Sequence, residues 1–286
     1  MNADYTEGAN AGMQFTKVHG LGNDFILIDG REETRDYTAL APRLCHRQTG
    51  IGADGLLIIE KSDLADVRMR IINEDGSEAE MCGNGIRCFA KYVYQQGIVK
   101  KPAFSVETLA GVMRPKLVLS GGEVTGVTVD MGEPYLECAE IPVVGEGKCI
   151  DRELTVQGRH LRYTTVLVGV PHTVVYVDDP TDEQWMALGW DIEHADVFPR
   201  RTNVNFARVL DDHTLILRTF ERGCGPTLAC GTGACGAAVA SFLNGFTGRS
   251  VDVQIELGTL HIEWAEDGHV YMTGPAEIVY TGEIRL

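Results

Sequence analysis

The pattern of apolar and polar positions predicts a chain made mostly of short strands. A strand begins near Gln14, and a glycine-rich turn at residues 19–24 separates it from the apolar run Phe25–Ile28. Where apolar and polar residues alternate, as in residues 67–71, the pattern indicates a strand with one buried face. Apolar runs bounded by glycine turns indicate the other strands. The remaining predicted strands are residues 56–59, 104–109, 112–119, 124–131, 154–156, 162–168, 173–177, 203–209, 214–219, 251–257, 259–263, 269–273 and 276–280.

Four helices are predicted among these strands. Two are short, at residues 37–48 and 181–188, and the second has Thr181 as its predicted N-cap. Two are long and apolar on nearly every side, one from Cys82 to about residue 96 and one from residue 227 to about 244. Because such a helix must be buried all round, the simplest fold wraps the strands of each half around its own helix. The predicted class is α+β rather than doubly wound α/β, since helices do not alternate with strands.

The two long helices begin in stretches that read as copies of each other. Residues 81–90 are MCGNGIRCFA and residues 229–238 are ACGTGACGAA, so each helix is entered through Cys-Gly-polar-Gly. The polar residues, Asn84 and Thr232, are types that favour a helix start. A cysteine there meets the positive end of the helix dipole, which lowers its thiol pKa, and the amides beside it can bind a carboxylate. Two copies predict a duplicated fold that directs two thiols at one substrate.

The duplication also predicts the domain organisation. Residues 1–12 are small and polar, and we expect a disordered tail there. A second copy of the pattern of strands, long helix and strands begins near the turn at residues 132–134. We therefore expect an N-terminal domain of residues 13–131 plus 275–286 and a C-terminal domain of residues 132–274. These pseudo-symmetric domains would hold the active site in the cleft between them.

The charge balance limits the classes of partner. The 286 residues carry a net charge of −16, which argues against nucleic acid and anionic membranes. No apolar run has the length of a membrane span, and the first residues lack a basic region followed by an apolar one. The expected compartment is the cytoplasm.

The eight cysteines do not form a recognisable disulfide or metal-binding framework. A long chain without a signal sequence does not favour structural disulfides, and the absence of Cys-x-x-Cys argues against a metal site. Cys82 and Cys230 belong to the two helix starts. The others are interpreted as small core or surface residues: Cys45, Cys88, Cys138, Cys149, Cys224 and Cys235.

Two thiols directed at one substrate suit a small number of reactions. A redox pair is usually close in sequence, and a cysteine nucleophile needs a base but only one thiol. A two-base isomerase needs one group on each face of a carbon acid, so that a thiolate removes a proton and a thiol returns one. That chemistry explains the duplication and is favoured, while other thiol chemistry and a purely structural role stay open.

From Phe15 to its C-terminus the chain carries a further set of motifs: residues 19–25 (HGLGNDF), Asn73, residues 81–85 (MCGNG), Pro171-His172, Asn203, residues 221–223 (ERG) and residues 229–233 (ACGTG). In the order and spacing of these motifs it resembles the diaminopimelate epimerase family. The resemblance implies a PLP-independent epimerase, with no cofactor or metal, that interconverts LL- and meso-2,6-diaminopimelate in lysine and peptidoglycan precursor biosynthesis. It also implies two domains with strands wrapped around a central helix, and a homodimer.

The resemblance also assigns roles to individual residues. Cys82 would accept the proton from the LL substrate, Cys230 would donate one on the opposite face, and His172 would support the thiols, although a plain turn histidine after Pro171 is the alternative. Asn23 would lie beside the carboxylate of the reacting centre, although a plain hairpin turn is favoured for its segment from the residues alone. The amides that would bind this carboxylate are those of Gly83, Asn84, Gly231 and Thr232. The distal end of the substrate would be held by Asn73, Asn203, Glu221 and Arg222.

Three positions depart from the family pattern, and three other functions stay open. Val170 stands where the family often has Asn, Gly55 where relatives can have Gln, and Cys224 where Ala is common. The first alternative is a related cofactor-independent racemase of another amino acid, such as histidine; Asn84 tells against a proline racemase, which usually has His there. The second is a non-catalytic protein that binds an amino acid, and a thiol redox sensor is a weaker one.

Overall fold

The computed structural model describes residues 12–33 and 35–285, so the predicted tail lies outside the described residues except for Gly12. The chain divides into two compact units. Unit 1 holds the described residues up to Pro115 together with those from Ala276 onward, and unit 2 is Lys116–Pro275. Each unit is built mainly from one mixed sheet, which confirms the predicted α+β class with two sheet-rich domains.

Unit 1 contains an eight-stranded sheet and two helices. Its elements are β1 (Met13–Gly20), β2 (Asn23–Asp29), α1 (Tyr37–Cys45), β3 (Gly55–Glu60), β4 (Val67–Asn73), β5 (Glu78–Ala79), α2 (Gly83–Gln95), β6 (Val106–Thr108), β7 (Gly111–Met113) and, at the end of the chain, β19 (Glu277–Ile284). The strand order is β19-β1-β2-β3-β4-β6-β7, and β5 pairs with β4.

Unit 2 contains an eleven-stranded sheet and two helices. Its elements are β8 (Lys116–Ser120), β9 (Glu123–Asp130), β10 (Arg152–Val156), β11 (Arg159–Val168), β12 (Val170–Tyr176), α3 (Glu183–Glu193), β13 (Asn203–Asp211), β14 (Thr214–Glu221), β15 (Gly225–Thr227), α4 (Gly231–Leu243), β16 (Ser250–Ile255), β17 (Gly258–Trp264) and β18 (Val270–Gly274). The strand order is β10-β11-β12-β13-β14-β16-β17-β18-β9-β8, and β15 pairs with β14.

The two sheets repeat one pairing pattern. In unit 1, β1–β2 is antiparallel, β2–β3 parallel, β3–β4 and β4–β5 antiparallel, β4–β6 parallel and β6–β7 antiparallel. Unit 2 repeats this series from β11 to β17. In both series the long helix, α2 or α4, follows the short strand β5 or β15. The chain therefore contains a structural duplication, as the repeated motif predicts.

The two long helices differ in how fully they are buried. Helix α4 packs against seven strands of its sheet, and its alanine-rich middle is buried, as predicted. Helix α2 packs against β1, β2, β4 and β19, but its last turns reach the surface at Gln95. There Lys91 donates a hydrogen bond to the carbonyl of Ala276 at 2.6 Å. The prediction of burial all round therefore holds for the first two turns of α2, where residues 84–90 are all buried, but is wrong for its last turns. None of the described helices combines the length and apolarity that a membrane span requires.

Several helix ends differ from the sequence prediction. Helix α1 ends at Cys45, whereas the sequence predicts that it continues through the polar residues 46–48. Helix α3 is capped by the Asp182 side chain, which accepts a hydrogen bond from Gln184 N, so Thr181 is not the cap. Helix α4 begins at Gly231, since Thr227 belongs to the short strand β15. Local sequence patterns do not reveal that residues 225–227, which precede Cys230, form hydrogen bonds to the neighbouring strand β14.

Residues 116–131 belong to unit 2, whereas the sequence placed them in the N-terminal domain. They form the hairpin β8–β9, and β9 pairs with β18, from Tyr271 opposite Asp130 to Gly274 opposite Val127. The crossing into unit 2 therefore falls at Lys116 rather than at the glycine turn near residue 132. The hairpin signal was correct, but a hairpin sequence does not show which sheet edge it will join.

Candidate active site

Both long helices begin immediately after a cysteine. Cys82 and Cys230 are N-cap residues with extended backbone angles, φ −141° and ψ 120° for Cys82, φ −120° and ψ 103° for Cys230. Each carbonyl accepts the first intrahelical bond, from Ile86 N at 2.9 Å and from Ala234 N at 3.0 Å. Asn84 and Thr232 are therefore the second residues of their helices rather than the caps. The thiols lie beside the amide groups that open each helix.

Cys82 is half-buried and makes hydrogen bonds to two amide groups. Its Sγ accepts a hydrogen bond from Gly85 N at 3.4 Å and donates to Asn23 Oδ1 at 3.6 Å. The same oxygen accepts from Asn84 Nδ2 at 3.2 Å. Asn23 is the first residue of β2, so the hairpin turn also presents an amide to the first thiol. The plain-turn interpretation of this segment is incomplete.

Asp54 determines which end of the Asn23 amide faces Cys82. Asp54 Oδ2 accepts from Asn23 Nδ2 at 2.7 Å and from Asp24 N at 3.1 Å, while Arg47 Nη2 donates to its Oδ1 at 2.6 Å. Because an ionised carboxylate only accepts hydrogen bonds, the Asn23 NH2 group faces Asp54 and the oxygen faces the thiol. Sequence reasoning missed Asp54, and its place just before a predicted buried strand was the available signal.

Cys230 is more fully buried than Cys82, and the negative charge of Glu221 acts on it. It is 6% exposed, and its Sγ lies 3.6 Å from Thr232 Oγ1. Burial, and then the negative charge of Glu221, raise the pKa of the Cys230 thiol well above its usual value; the Thr232 hydroxyl and the Gly233 amide oppose this. The expectation that the helix start lowers this thiol pKa is therefore wrong, because burial and a carboxylate outweigh the dipole.

Glu221 is held beside Cys230 by a threonine. Its Oε1 accepts a hydrogen bond from Thr227 Oγ1 at 2.6 Å. The negative charge of this carboxylate contributes to the raised pKa of the Cys230 thiol. Glu221 ends β14 and Thr227 ends β15, so the β14–β15 pairing brings the two together. Thr227 was not identified from the sequence, where it looked like part of the helix.

His172 lies inside β12 and is completely buried, so it is not a turn histidine. A Cβ built on Gly236 of α4 would lie 2.9 Å from His172 Cβ, which shows how closely the histidine packs on this helix. Its Nδ1 lies 3.2 Å from Asn205 Nδ2. Burial and then the positive charge of Arg222 lower the pKa of His172 to about 3. The imidazole is therefore neutral at physiological pH.

The residues predicted to hold the distal end of the substrate lie in both units. In unit 2, Asn203 Nδ2 donates to Pro171 O at 2.9 Å and Asn203 Oδ1 accepts from Arg222 N at 2.9 Å. Asn203 therefore fixes the backbone of Arg222, whose Nη1 donates to Arg200 O at 3.1 Å. In unit 1, Asn73 ends β4, and its Nδ2 donates to Ser77 Oγ at 2.9 Å.

Gly55 has a structural explanation. A Cβ built there would lie 2.7 Å from the carbonyl oxygen of Ile72, which is a backbone atom and cannot turn aside. The side chain that relatives can carry at this position therefore does not fit this backbone. Val170, a second residue that departs from the family pattern, is the first residue of β12, as Asn23 is the first residue of β2.

The strand registers identify equivalent positions around the two cysteines. The parallel pair β2–β3 corresponds to β12–β13, and the next antiparallel partner is β4 or β14. Matching registers make Asn73 of β4 equivalent to Glu221 of β14. Under each helix start, three further residues occupy equivalent positions. In unit 1 they are Phe25, Leu57 and Ile71, which we call the apolar floor. In unit 2 they are, in the same order, His172, Asn205 and Thr219, which we call the polar floor.

The two floors contact the same glycine of the motif. A Cβ built on Gly85 would lie 3.2 Å from Leu57 Cδ2 and 3.6 Å from Phe25 Cζ. At the equivalent Gly233 it would lie 2.7 Å from Asn205 Oδ1 and 3.2 Å from Thr219 Oγ1. All six floor residues are buried. Sequence reasoning did not identify the polar floor beyond His172, although Asn205 stands two residues after Asn203.

The other cysteines have no comparable environment. Cys45, Cys88, Cys138, Cys149 and Cys235 are buried and Cys224 is exposed, in agreement with their interpretation as core and surface residues. Burial raises the pKa of Cys45 and of Cys88 to about 12. Over residues 12–33 and 35–285, no group of three or more His, Cys, Asp or Glu side chains is arranged to hold a metal ion.

Comparisons with known proteins agree with the duplicated architecture and its two cysteine helices. The family model described as diaminopimelate epimerase matches residues 15–137 and 164–279. The diaminopimelate epimerase of Moorella thermoacetica is 51% identical over 96% of this chain and 100% of its own length. That of Pelotomaculum thermopropionicum is 53% identical over 95% of this chain and 98% of its own. A phenazine biosynthesis protein of the PhzF family from Enterococcus faecalis has the same fold, with a TM-score of 0.68 at 12% identity, covering 96% of this chain and 100% of its own.

Proposed function

Because the chain belongs to the diaminopimelate epimerase family, we propose that it interconverts LL-2,6-diaminopimelate and meso-diaminopimelate. The reaction would proceed without PLP, another cofactor or a metal. It would serve lysine and peptidoglycan precursor biosynthesis in the cytoplasm. Eight free cysteines are typical of a protein from a reducing compartment. The observation that carries the proposal is the pair of N-cap cysteines on the central helices of two duplicated units.

The proposed mechanism uses the two thiols as base and acid. Cys82, as thiolate, would take the α-proton of the LL centre, and the electron pair left on carbon would be stabilised by the adjacent carboxylate. Cys230, as thiol, would return a proton on the opposite face, and the roles would exchange in the reverse direction. The raised pKa of Cys230 supports its role as proton donor, because it keeps this thiol protonated at neutral pH.

The surrounding groups would bind the substrate by charge and hydrogen bonds. The opening amides of both helices, at Gly83, Asn84, Gly231 and Thr232, would stabilise the carboxylate of the reacting centre as charge develops on it. Asn23 would lie beside that carboxylate, and His172 would support the thiols. At the distal end, Arg222 would bind a carboxylate and Glu221 an ammonium group, with Asn73 and Asn203 completing the contacts.

The deciding experiment follows proton exchange and inversion together. Reduced protein is incubated with LL-diaminopimelate in heavy water, without added cofactor, and both α-deuterium incorporation and the meso isomer are measured. We expect deuterium at the inverted centre and formation of the meso isomer. Absence of both, from protein shown to be folded and reduced, would contradict the proposed reaction.

A second candidate is a racemase that uses the same two thiols on another amino acid. Two observations favour testing it: Val170 supplies no side-chain amide, and the backbone at Gly55 leaves no room for one. The exchange assay is therefore repeated with histidine and a panel of other amino acids. Exchange of histidine alone would keep the thiol mechanism and replace the substrate, whereas binding without exchange on every compound would indicate a non-catalytic binding protein.

The homodimer expected from the family is also a proposal. It is supported by β19, an edge strand of the unit 1 sheet that exposes Val279 (53%) and Tyr280 (46%). An exposed edge strand with apolar side chains is suited to pairing with a second copy. Light scattering after size-exclusion chromatography should give twice the chain mass, and Val279→Glu should shift the protein toward monomer. A wild-type monomer at assay concentration would rule the dimer out.

A further inference from the structure

The polar floor of unit 2 contains more hydrogen-bonding groups than packing requires. His172 and Asn205 are completely buried, and Thr219 is 5% exposed. The equivalent apolar floor of unit 1, Phe25, Leu57 and Ile71, fills the same place under an equivalent helix. Unit 1 therefore shows that apolar side chains are sufficient to build this part of the fold. Buried polar groups cost free energy unless they are paired, so their presence in unit 2 needs another explanation.

The hydrogen bonds of Asn205 fix the orientation of its amide. Asn205 Nδ2 donates to the carbonyl oxygen of Thr173 at 3.4 Å, and a carbonyl oxygen can only accept. On its other side, Asn205 Oδ1 accepts from Thr219 Oγ1 at 3.0 Å. The Thr173 contact requires the NH2 group to be directed toward β12, and the Thr219 hydroxyl, which donates here, fits the same orientation.

This orientation determines the tautomer of His172. The same Asn205 NH2 group lies 3.2 Å from His172 Nδ1 and has a second hydrogen to donate. His172 Nδ1 must therefore accept, and in a neutral imidazole the proton then resides on Nε2. The imidazole is kept neutral by burial and by the positive charge of Arg222. His172 Nε2 is buried and has no hydrogen-bond partner among the residues that the structure describes.

We propose that Asn205 is a positioning residue that holds His172 as the Nε2–H tautomer, so that the histidine serves the reaction as a neutral hydrogen-bond donor. This inference rests on the proposed epimerase function, in which negative charge develops on a carboxylate and on a thiolate. A neutral N–H can stabilise such an anionic acceptor without changing the net charge of the site. Thr219 acts one step further away, because its hydroxyl orients the Asn205 amide. A buried donor without a protein partner costs stability, which is consistent with a group kept for a ligand.

The first measurement is the tautomer itself. Nitrogen-15 NMR of histidine-labelled protein distinguishes a protonated ring nitrogen from an unprotonated one, and His172→Gln identifies the His172 signals by their loss. We expect a proton on Nε2 and none on Nδ1 from pH 5 to pH 9. A proton on Nδ1 in the wild-type protein would overturn the proposal. This measurement needs no substrate, so it stands even if the protein fails to epimerise diaminopimelate.

The second measurement changes Asn205 and follows both tautomer and turnover. Asn205→Leu, which introduces the residue type found at the equivalent position in unit 1, removes the donor to Nδ1. Asn205→Asp replaces it with an acceptor and should move the proton to Nδ1. We expect kcat to fall about 100-fold in both variants, with a smaller change in KM. Val253→Ala, a buried change in β16, is the control for a general disturbance of the sheet.

A milder variant keeps the test informative if Asn205 proves necessary for folding. Thr219→Val preserves the volume of the side chain and removes only the hydroxyl that orients Asn205. We expect partial loss of the Nε2–H tautomer and a fall in kcat of about tenfold. An unchanged tautomer together with unchanged kcat, in Asn205→Leu or in Thr219→Val, would contradict the proposal. Loss of kcat with an unchanged tautomer would also do so, because it would assign these residues a purely structural role.

Discussion

Cys82 and Cys230 begin equivalent helices, but the equivalent positions Asn73 and Glu221 differ in charge. Cys82 is half-buried beside the amides of Asn23 and Gly85, whereas Cys230 is buried beside the carboxylate of Glu221. The registers place neutral Asn73 of unit 1 where unit 2 has Glu221. The same strand pattern therefore gives the two thiols different hydrogen-bond partners and a different degree of burial. A duplicated scaffold supplies matching positions, and individual substitutions then make those positions chemically unequal.

The largest expected effect removes one thiol at a time. Cys82→Ser and Cys230→Ser should each reduce epimerisation at least about 1,000-fold, since a serine hydroxyl is a much weaker acid than a thiol. Serine is a favourable N-cap, so circular dichroism and thermal unfolding should stay close to wild type. Cys224→Ser, at the exposed cysteine, is the control and should retain activity. Full activity in either single variant would refute the two-base mechanism.

The next effect tests the charge difference between the two sites. Glu221→Gln removes a negative charge that raises the pKa of Cys230, so that pKa should fall. At a fixed pH near 8, alkylation of Cys230 by iodoacetamide, followed by mass spectrometry, should become faster. Epimerisation should fall about 100-fold. Glu266→Gln makes the same charge change at an exposed position; equal alkylation rates in the two variants would count against a local effect of Glu221.

A third comparison uses the equivalent glycines of the two motifs. In Gly233→Ala the new methyl group would lie 2.7 Å from Asn205 Oδ1, so the polar floor must shift, and we expect a loss of about 2 kcal/mol in the free energy of unfolding. In Gly85→Ala the nearest neighbour is the flexible end of Leu57 at 3.2 Å. The gain in helix propensity should keep that loss below about 1 kcal/mol. Urea unfolding of both variants measures the difference, and equal losses would show that the two floors tolerate change alike.

The smallest expected effect concerns the carboxylate that acts indirectly at the first site. Asp54→Asn replaces one carboxylate oxygen with an NH2 group, so Asn23 and Arg47 compete for the single remaining oxygen and Asn23 can turn its NH2 group toward Cys82. We expect kcat to fall about tenfold, since the thiol itself is untouched. Asp63→Asn, at an exposed aspartate of the same unit, provides the control. If kcat fell as far in Asp54→Asn as epimerisation falls in Glu221→Gln, then Asp54, which acts through Asn23, would matter as much as Glu221, which acts on the thiol itself.

The sequence predicted the features that depend on local pattern. The repeated Cys-Gly-polar-Gly motif located both long helices, although α4 begins at Gly231 rather than at residue 227, and it indicated the duplication. Glycine turns located most strands. The sequence could not show that β8 and β9 join the second sheet, because strand order depends on contacts between distant residues. It also could not show that Asp54, Thr227 and Asn205 contact Asn23, Glu221 and His172, respectively. Those partners lie on neighbouring strands or at their ends, and their proximity exists only after the sheets form.

One feature of unit 1 bears on how the chain is made. Strand β19 completes the first sheet by pairing with β1, from His19 opposite Glu277 to Met13 opposite Ile284. During synthesis on the ribosome, β1 emerges early, but its partner emerges only after all of residues 116–275 have been translated. Until then one edge of the first sheet lacks its β19 partner, and such an edge can pair with other chains. Nascent chains stalled before residue 277 should therefore depend on chaperones more than completed chains do.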